Sequence, residues 1–417
     1  MQTIINKFDS ALNELLNHYF SDEELKELNC RMHSPEISYD KISARINEFY
    51  KHQLNISLYG SADRFTIDRT ITFSEKNLSG DRYFDFLLKL GHVCLVGGKL
   101  NFANEIFRKI KKNSNSDSLR AEALLGMSDI LSRRADWARS LQLIDEASII
   151  FNTRSDNKGL SKCENLRGTI FGERGDFDNA RHYFVNSLAL INPDDDLEIA
   201  ANLETNLGII ENIQGETEAS ITHLSNALNK YMLLKNQERI AEIKVNIGMV
   251  HYEAGQFNLA LQSFDDTIEI AKLHGFYSIL CSVYLNKAQT LISLNENNYA
   301  YDFAKMALEL GNTLDDKITI ADAYKLKGII ARNDGDFIAA ENYLLTSLRI
   351  NISIENTMNI AETSFELGIL YQERNEVINR NTYLNNSLTY FKKINAKSKA
   401  KKIESMLSNG FSNQNTI

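Results

Sequence analysis

Proline is almost missing from this 417-residue chain, with Pro35 and Pro193 the only two. A proline inside a helix removes a backbone donor and clashes with the preceding turn, so its scarcity leaves long helices free to form almost anywhere. Cysteine is sparse too. Cys30, Cys94, Cys163 and Cys281 stand far apart with no paired spacing, which indicates neither a disulfide framework nor a zinc site and fits a reducing compartment. No stretch approaches eighteen consecutive apolar residues, so no membrane-spanning helix is expected. The first sixteen residues carry Lys7 and Asp9 within an amphipathic pattern, unlike the basic start and apolar run of an export signal. A soluble, cytoplasmic chain is the expectation. Excess positive charge is lacking as well: a net charge of −9 disfavours nucleic acid or an anionic membrane as partner. There is no Gly-rich phosphate loop, no His-Glu-x-x-His string and no nucleophile elbow, and the eight histidines are scattered. Catalysis, a metal and a cofactor are therefore not expected.

What the chain has is a period. Gly168, Gly208, Gly248, Ala288, Gly328 and Gly368 recur at an interval of forty. A mid-helix Gly costs about 1 kcal/mol relative to Ala, so its return at one phase implies that a Cβ there would meet a neighbouring helix. With this residue as position eight, position fifteen holds Gly175, Gly215, Gly255, Asn295, Gly335 and Asn375, residues that accept the left-handed backbone at a helix end. Position sixteen reads Asp176, Glu216, Gln256, Glu296, Asp336 and Glu376, mostly acids suited to the positive end of a following helix. Small residues return at position twenty (Ala180, Ser220, Ala260, Ala300, Ala340) and at position twenty-seven (Ser187, Ala227, Thr267, Ala307, Ser347, Ser387). Between them stand Phe184, Leu224, Phe264, Leu344 and Leu384, expected to fill the space between neighbouring hairpins. Two weaker copies precede these, one around Ser128 and one around Gly91, which makes eight helix pairs from about Tyr83 to Asn395. The Ala288 copy departs with Ala304 where others are bulky, and the last with Arg380 at a small position.

The frame resembles the tetratricopeptide repeat, with small residues at positions eight, twenty and twenty-seven and aromatics such as Phe171, Phe177 and Phe184. The family unit has 34 residues; these forty-residue copies resemble a long-repeat subset that includes LGN-type adaptors, kinesin light chains and Rap-type peptide-sensing regulators. The resemblance implies an all-α, right-handed superhelical solenoid over residues 81–395. Residues 1–80 read as an N-terminal helical cap or a separate bundle. Helices are expected near Ile4–Tyr19, after a Ser21/Glu24 capping box, from about Tyr39 with Ile42, Ile46 and Phe49 on one face, and over Arg64–Leu78. Residues 396–409 read as a basic capping helix, and 410–417 as a flexible tail.

The resemblance also implies a concave surface lined by the first helix of each pair. Position six there holds Asn206, Asn246 and Asn286. An amide offers donor and acceptor together and can pair with an extended backbone; in the family subset, asparagines at this place do so. The alternative is that each Asn bonds between helices and stiffens the stack. Glu242, Tyr252, Glu253, Gln289, Asp322, Lys325, Arg332, Glu362, Phe365, Glu366 and Gln372 would share this surface. Its acids suggest a basic linear partner, or else a solvated acidic face. Thr205, Val245 and Leu285 do not match the carboxylate clamp of cochaperone-type members. Three functions follow: an adaptor or scaffold holding a linear segment of another protein, a peptide-gated signalling regulator of Rap type acting on a response-regulator-type partner through its N-terminal helices, and, least favoured, an enzyme.

Overall fold

The computed structural model describes residues 7–32, 59–394 and 396–409. Twenty helices and no strand occur among them. The expected helix from Tyr39, Pro35 and the tail 410–417 lie outside the described residues.

The chain divides into two compact units, Met1–Asn192 and Pro193–Ile417. In the first, α1 (Lys7–Tyr19), α2 (Asp22–Met32) and α3 (Tyr59–Asn77) precede three pairs: α4 (Gly80–Val96) with α5 (Leu100–Asn113), α6 (Asp117–Arg133) with α7 (Trp137–Thr153), and α8 (Asn157–Glu173) with α9 (Phe177–Ala189). The second holds five pairs: α10 (Leu197–Gln214) with α11 (Thr217–Leu233), α12 (Gln237–Glu253) with α13 (Phe257–His274), α14 (Tyr277–Ser293) with α15 (Asn297–Leu314), α16 (Lys317–Asn333) with α17 (Phe337–Ser353), and α18 (Thr357–Glu373) with α19 (Val377–Lys393). A last helix, α20 (Lys397–Asn409), follows. Within each unit every helix packs on the next, and first helices of successive pairs also touch, as α14 does α16.

The capping box forms as expected. Glu24 accepts from the backbone N–H of Ser21 at 2.8 Å, and Ser21 Oγ accepts from that of Glu24 at 3.4 Å. Phe8, Leu12, Tyr19 and Phe20 share one apolar core with Phe86, Leu90 and Phe107, so the first helices and the first pair are built around common residues.

The phased glycines sit at close helix contacts inside each pair. A Cβ on Gly168, Gly208, Gly248, Gly328 or Gly368 would stand 2.4–2.7 Å from Phe184, Leu224, Phe264, Leu344 or Leu384 respectively, well inside contact distance. The bulky residue sixteen places on thus packs first onto the small residue of its own pair, and not only between hairpins as the sequence suggested. Leu224 does both, since its cluster extends to Ile240 and Ile243 of the next pair. Ala288 has Ala304 opposite, so the missing bulk in that copy is matched by the extra methyl.

Position fifteen adopts the left-handed backbone in every described copy from Ala135 to Asn375. Gly175 N–H bonds Gly172 C=O at 2.9 Å and Asp176 N–H bonds Phe171 C=O at 2.9 Å, the paired closure that satisfies the last carbonyls of a helix. A second left-handed series closes the turn from one pair to the next: Ser155, Lys235, Gly275, Asp315 and Glu355. Its place at residue 195 is not left-handed; there Pro193, which restricts the residue before it, follows a shorter α9.

Candidate functional site

The candidate face lies in the second unit on α10, α12, α14, α16 and α18. Its side chains come from positions two, five, six, nine, twelve and thirteen; two, six, nine and thirteen turn away from the small-residue stripes that pack onto the second helices, while five and twelve, one turn from those stripes, lie beside them. One such stripe went unnoticed in the sequence. Ala121, Ser161, Ala201, Ala241, Cys281, Ala321 and Ala361 recur at intervals of forty at position one, all buried. Ser187 and Ser387, at position twenty-seven, donate to the Ser161 and Ala361 carbonyls at 2.6 and 2.7 Å. Cys281 is therefore a small core residue. Burial pushes its thiol up to about 11, and that of Cys163 to about 12, far from the reactive thiolate.

Asn246 and Asn286 are half-buried on the adjacent helices α12 and α14, and neither side-chain amide bonds another group among the described residues. The stiffening alternative does not hold for these two. Asn206 is also half-buried and is engaged in an interaction within the chain. Gln289, one turn beyond Asn286, is half-buried with its amide likewise unspent. Met249, Leu285 and Tyr252 border these amides as partly buried apolar surface, and Tyr252 Oη meets Ser293 Oγ at 3.3 Å.

Except for Glu253, the other expected residues are occupied by their own chain. Glu242 pairs with Arg239 at 2.7 Å on the same helix, while Glu253 is exposed. Lys325 lies 3.1 Å from Asp322 and 2.9 Å from Glu362, and Asp322 accepts from Asn359 at 3.0 Å. Glu362 takes a second cation, Lys399 of α20, at 2.7 Å, and Lys402 of α20 stands over the Phe365 ring at 5.3 Å. Arg332 bridges Glu366 at 2.6 Å and Glu373 at 3.6 Å. Gln372 accepts from Arg380 at 3.3 Å. Burial pushes the Glu362 carboxyl up, but Lys325 and Lys399 outweigh it and hold it at about 2; burial opposes the Lys325 charge, yet Asp322 and Glu362 hold that ammonium above the ordinary lysine range. The acids that the sequence offered to a basic partner are thus largely neutralised in place.

The terminal helix explains much of this. It begins forty residues after the start of α18 and takes the first-helix place of a ninth pair, with no second helix following it among the described residues. Ala400 and Ile403 join Phe391 and Leu384 in its core, whereas Lys401 at position one is exposed. Arg380, the outsized residue of the last copy, donates to the Met406 carbonyl at 2.5 Å, near the negative end of α20.

Among the described residues no helix is long and apolar enough to cross a membrane. Residues 198–273 match the tetratricopeptide repeat family model. No curated protein matches the sequence. Among solved structures, the apo form of RapI is 15% identical with a TM-score of 0.57, covering 93% of this chain and 98% of that one. A Rap conjugation gene regulator of the plasmid pLS20, in complex with the Phr* peptide, is 14% identical with a TM-score of 0.53, covering 76% and 97%. Aspartyl phosphate phosphatase F from Bacillus subtilis is 12% identical with a TM-score of 0.57, covering 86% and 95%. Phased small residues at close helix contacts, the family match and the shared fold lead to one assignment: residues 198–273 are tetratricopeptide repeats, and the chain has the all-α fold of tetratricopeptide-like helix pairs.

Proposed function

We propose that the chain is an adaptor that holds a linear segment of another protein along the first-helix face of its second unit. The observation that carries this is the set of amides on Asn246, Asn286 and Gln289, half-buried and unspent within the chain, beside the apolar surface of Met249, Leu285 and Tyr252. Such amides pair with the N–H and C=O of an extended backbone, and the apolar border receives a side chain. Because the carboxylates towards α18 are paired internally, charge matching with a basic partner is secondary to backbone capture. Asn206 extends the row by one pair.

Peptides selected by display against the wild type provide the test. Each amide-to-backbone contact is worth about 1 kcal/mol, so Asn246→Ala with Asn286→Ala should weaken the selected peptides by about tenfold or more. Affinity unchanged in the double variant would reject the reading. A second reading, a peptide-gated regulator, draws support from the RapI likeness along most of the chain. It requires a peptide to change the radius of gyration, and scattering curves that superimpose with and without peptide would dismiss it.

A further inference from the structure

A different side of the second unit carries an uncompensated cation. Position seven, one residue before the phased glycine, is basic in three copies: Arg167, Lys287 and Lys327. Two of them meet an aspartate twenty-two residues earlier. Arg167 pairs with Asp145 at 2.6 Å, and Lys287 pairs with Asp265. For Lys327 the residue at that place is Lys305, which is 59% exposed and lies 4.0 Å from Glu309 on its own helix. Lys327 is only 9% exposed. Its ammonium stands 5.0 Å from the centre of the Tyr301 ring and 4.6 Å from that of Tyr343, and among the described residues no carboxylate lies within ion-pair distance of it. Tyr301 and Tyr343 belong to the second helices α15 and α17, so this place is apart from the amide face on the first helices.

Two aromatic faces attract a cation but cancel none of its charge, and this largely buried side chain holds its ammonium there without the counter-ion that its equivalents have. Where the chain meets the same need elsewhere, it uses an aspartate side chain. We infer that Lys327, with Lys305 at its rim and Tyr301 and Tyr343 as walls, receives a carboxylate from an acidic segment of a partner protein, which thereby completes the ion pair missing from this copy. The chemistry selects an Asp or Glu flanked by apolar residues that can lie on the tyrosine rings.

The decisive variant is Lys305→Asp, an exposed substitution that recreates the internal pair of the other copies. It should raise the thermal midpoint of the full chain; a midpoint unchanged or lowered would overturn the inference. A display library of Asp- and Glu-containing peptides, selected on the wild type and counter-selected on Lys305→Asp, should yield acidic sequences that bind at least tenfold more weakly to Lys327→Met and equally well to Asn246→Ala with Asn286→Ala. Absence of sequences enriched on the wild type alone would refute the site, as would retained affinity for Lys305→Asp. Binding of phosphoserine peptides but not their carboxylate counterparts would refute the ligand assigned to it.

Discussion

Gly248 has the aromatic edge of Phe264 where its Cβ would be, and Ala288 has only Ala304. This size matching makes the two residues one unit of design. Gly248→Ala should destabilise the chain by about 1–3 kcal/mol through overpacking, as should Ala304→Leu. Adding Ala288→Gly to Ala304→Leu recreates the arrangement of the other copies and should recover most of the loss, a coupling of about 1 kcal/mol or more in a double-mutant cycle measured by denaturant unfolding. The amide row was legible in the sequence because phase alone puts position six on one face. The internal ion pairs were not. They join residues 37 or 34 apart, Lys325 to Glu362 and Arg332 to Glu366, offsets that depend on how one pair settles on the next. Glu362 gives these pairs a pH signature. Its folded value of about 2 lies below the ordinary 4.5, so its contribution is complete at neutral pH and is lost as pH falls from about 4.5 towards 2. With 31% of its side chain exposed, the loss is on the order of 2 kcal/mol. Glu362→Gln should flatten that part of the acid-unfolding profile; an unaltered slope would show that the pairs contribute nothing.

Helix ends follow rules that were partly visible beforehand. At position sixteen, Asp176 and Asp336 cap their helices by accepting from the N–H of Asn179 and Ala339 at 3.4 and 3.0 Å. Glu216, Gln256, Glu296 and Glu376 make no such side-chain bond; with the extra methylene the three glutamates keep the favourable field of the helix end, while neutral Gln256 bonds His251 instead. Asp336→Ala should therefore cost about 1 kcal/mol, and Glu216→Ala a few tenths, as read from thermal unfolding. The turns leading to the next pair were harder to see, because Ser155, Lys235, Asp315 and Glu355 occupy left-handed positions that sequence reasoning assigns to Gly or Asn. Only the backbone reveals them. A non-glycine residue pays about 1–2 kcal/mol there, more than the entropy a glycine forfeits, so Lys235→Gly and Glu355→Gly should each stabilise by about 0.5 kcal/mol. A lower unfolding midpoint in either would mean that the lysine or glutamate side chain contributes more than its backbone costs.

At the scale of the molecule, the period of forty gave the number of pairs, and Pro193 marks the division into units, though it read beforehand only as one of two prolines. The place of the terminal helix was half legible. Its basic face suggested a cap, but its lysines reach back to Glu362 and Phe365, a return that no local pattern announces. The left-handed closures at Lys235, Gly275, Asp315 and Glu355 fall forty residues apart, each followed by the start of an equivalent helix. Excising residues 237–276 would thus join Asn236, already a helix cap, directly to Tyr277 and leave every remaining turn in phase. That shortened chain should melt cooperatively by circular dichroism, whereas removal of 237–272 should not. Length in this scaffold comes in quanta, so evolution can lengthen or trim its reach by whole cassettes without redesigning a single junction.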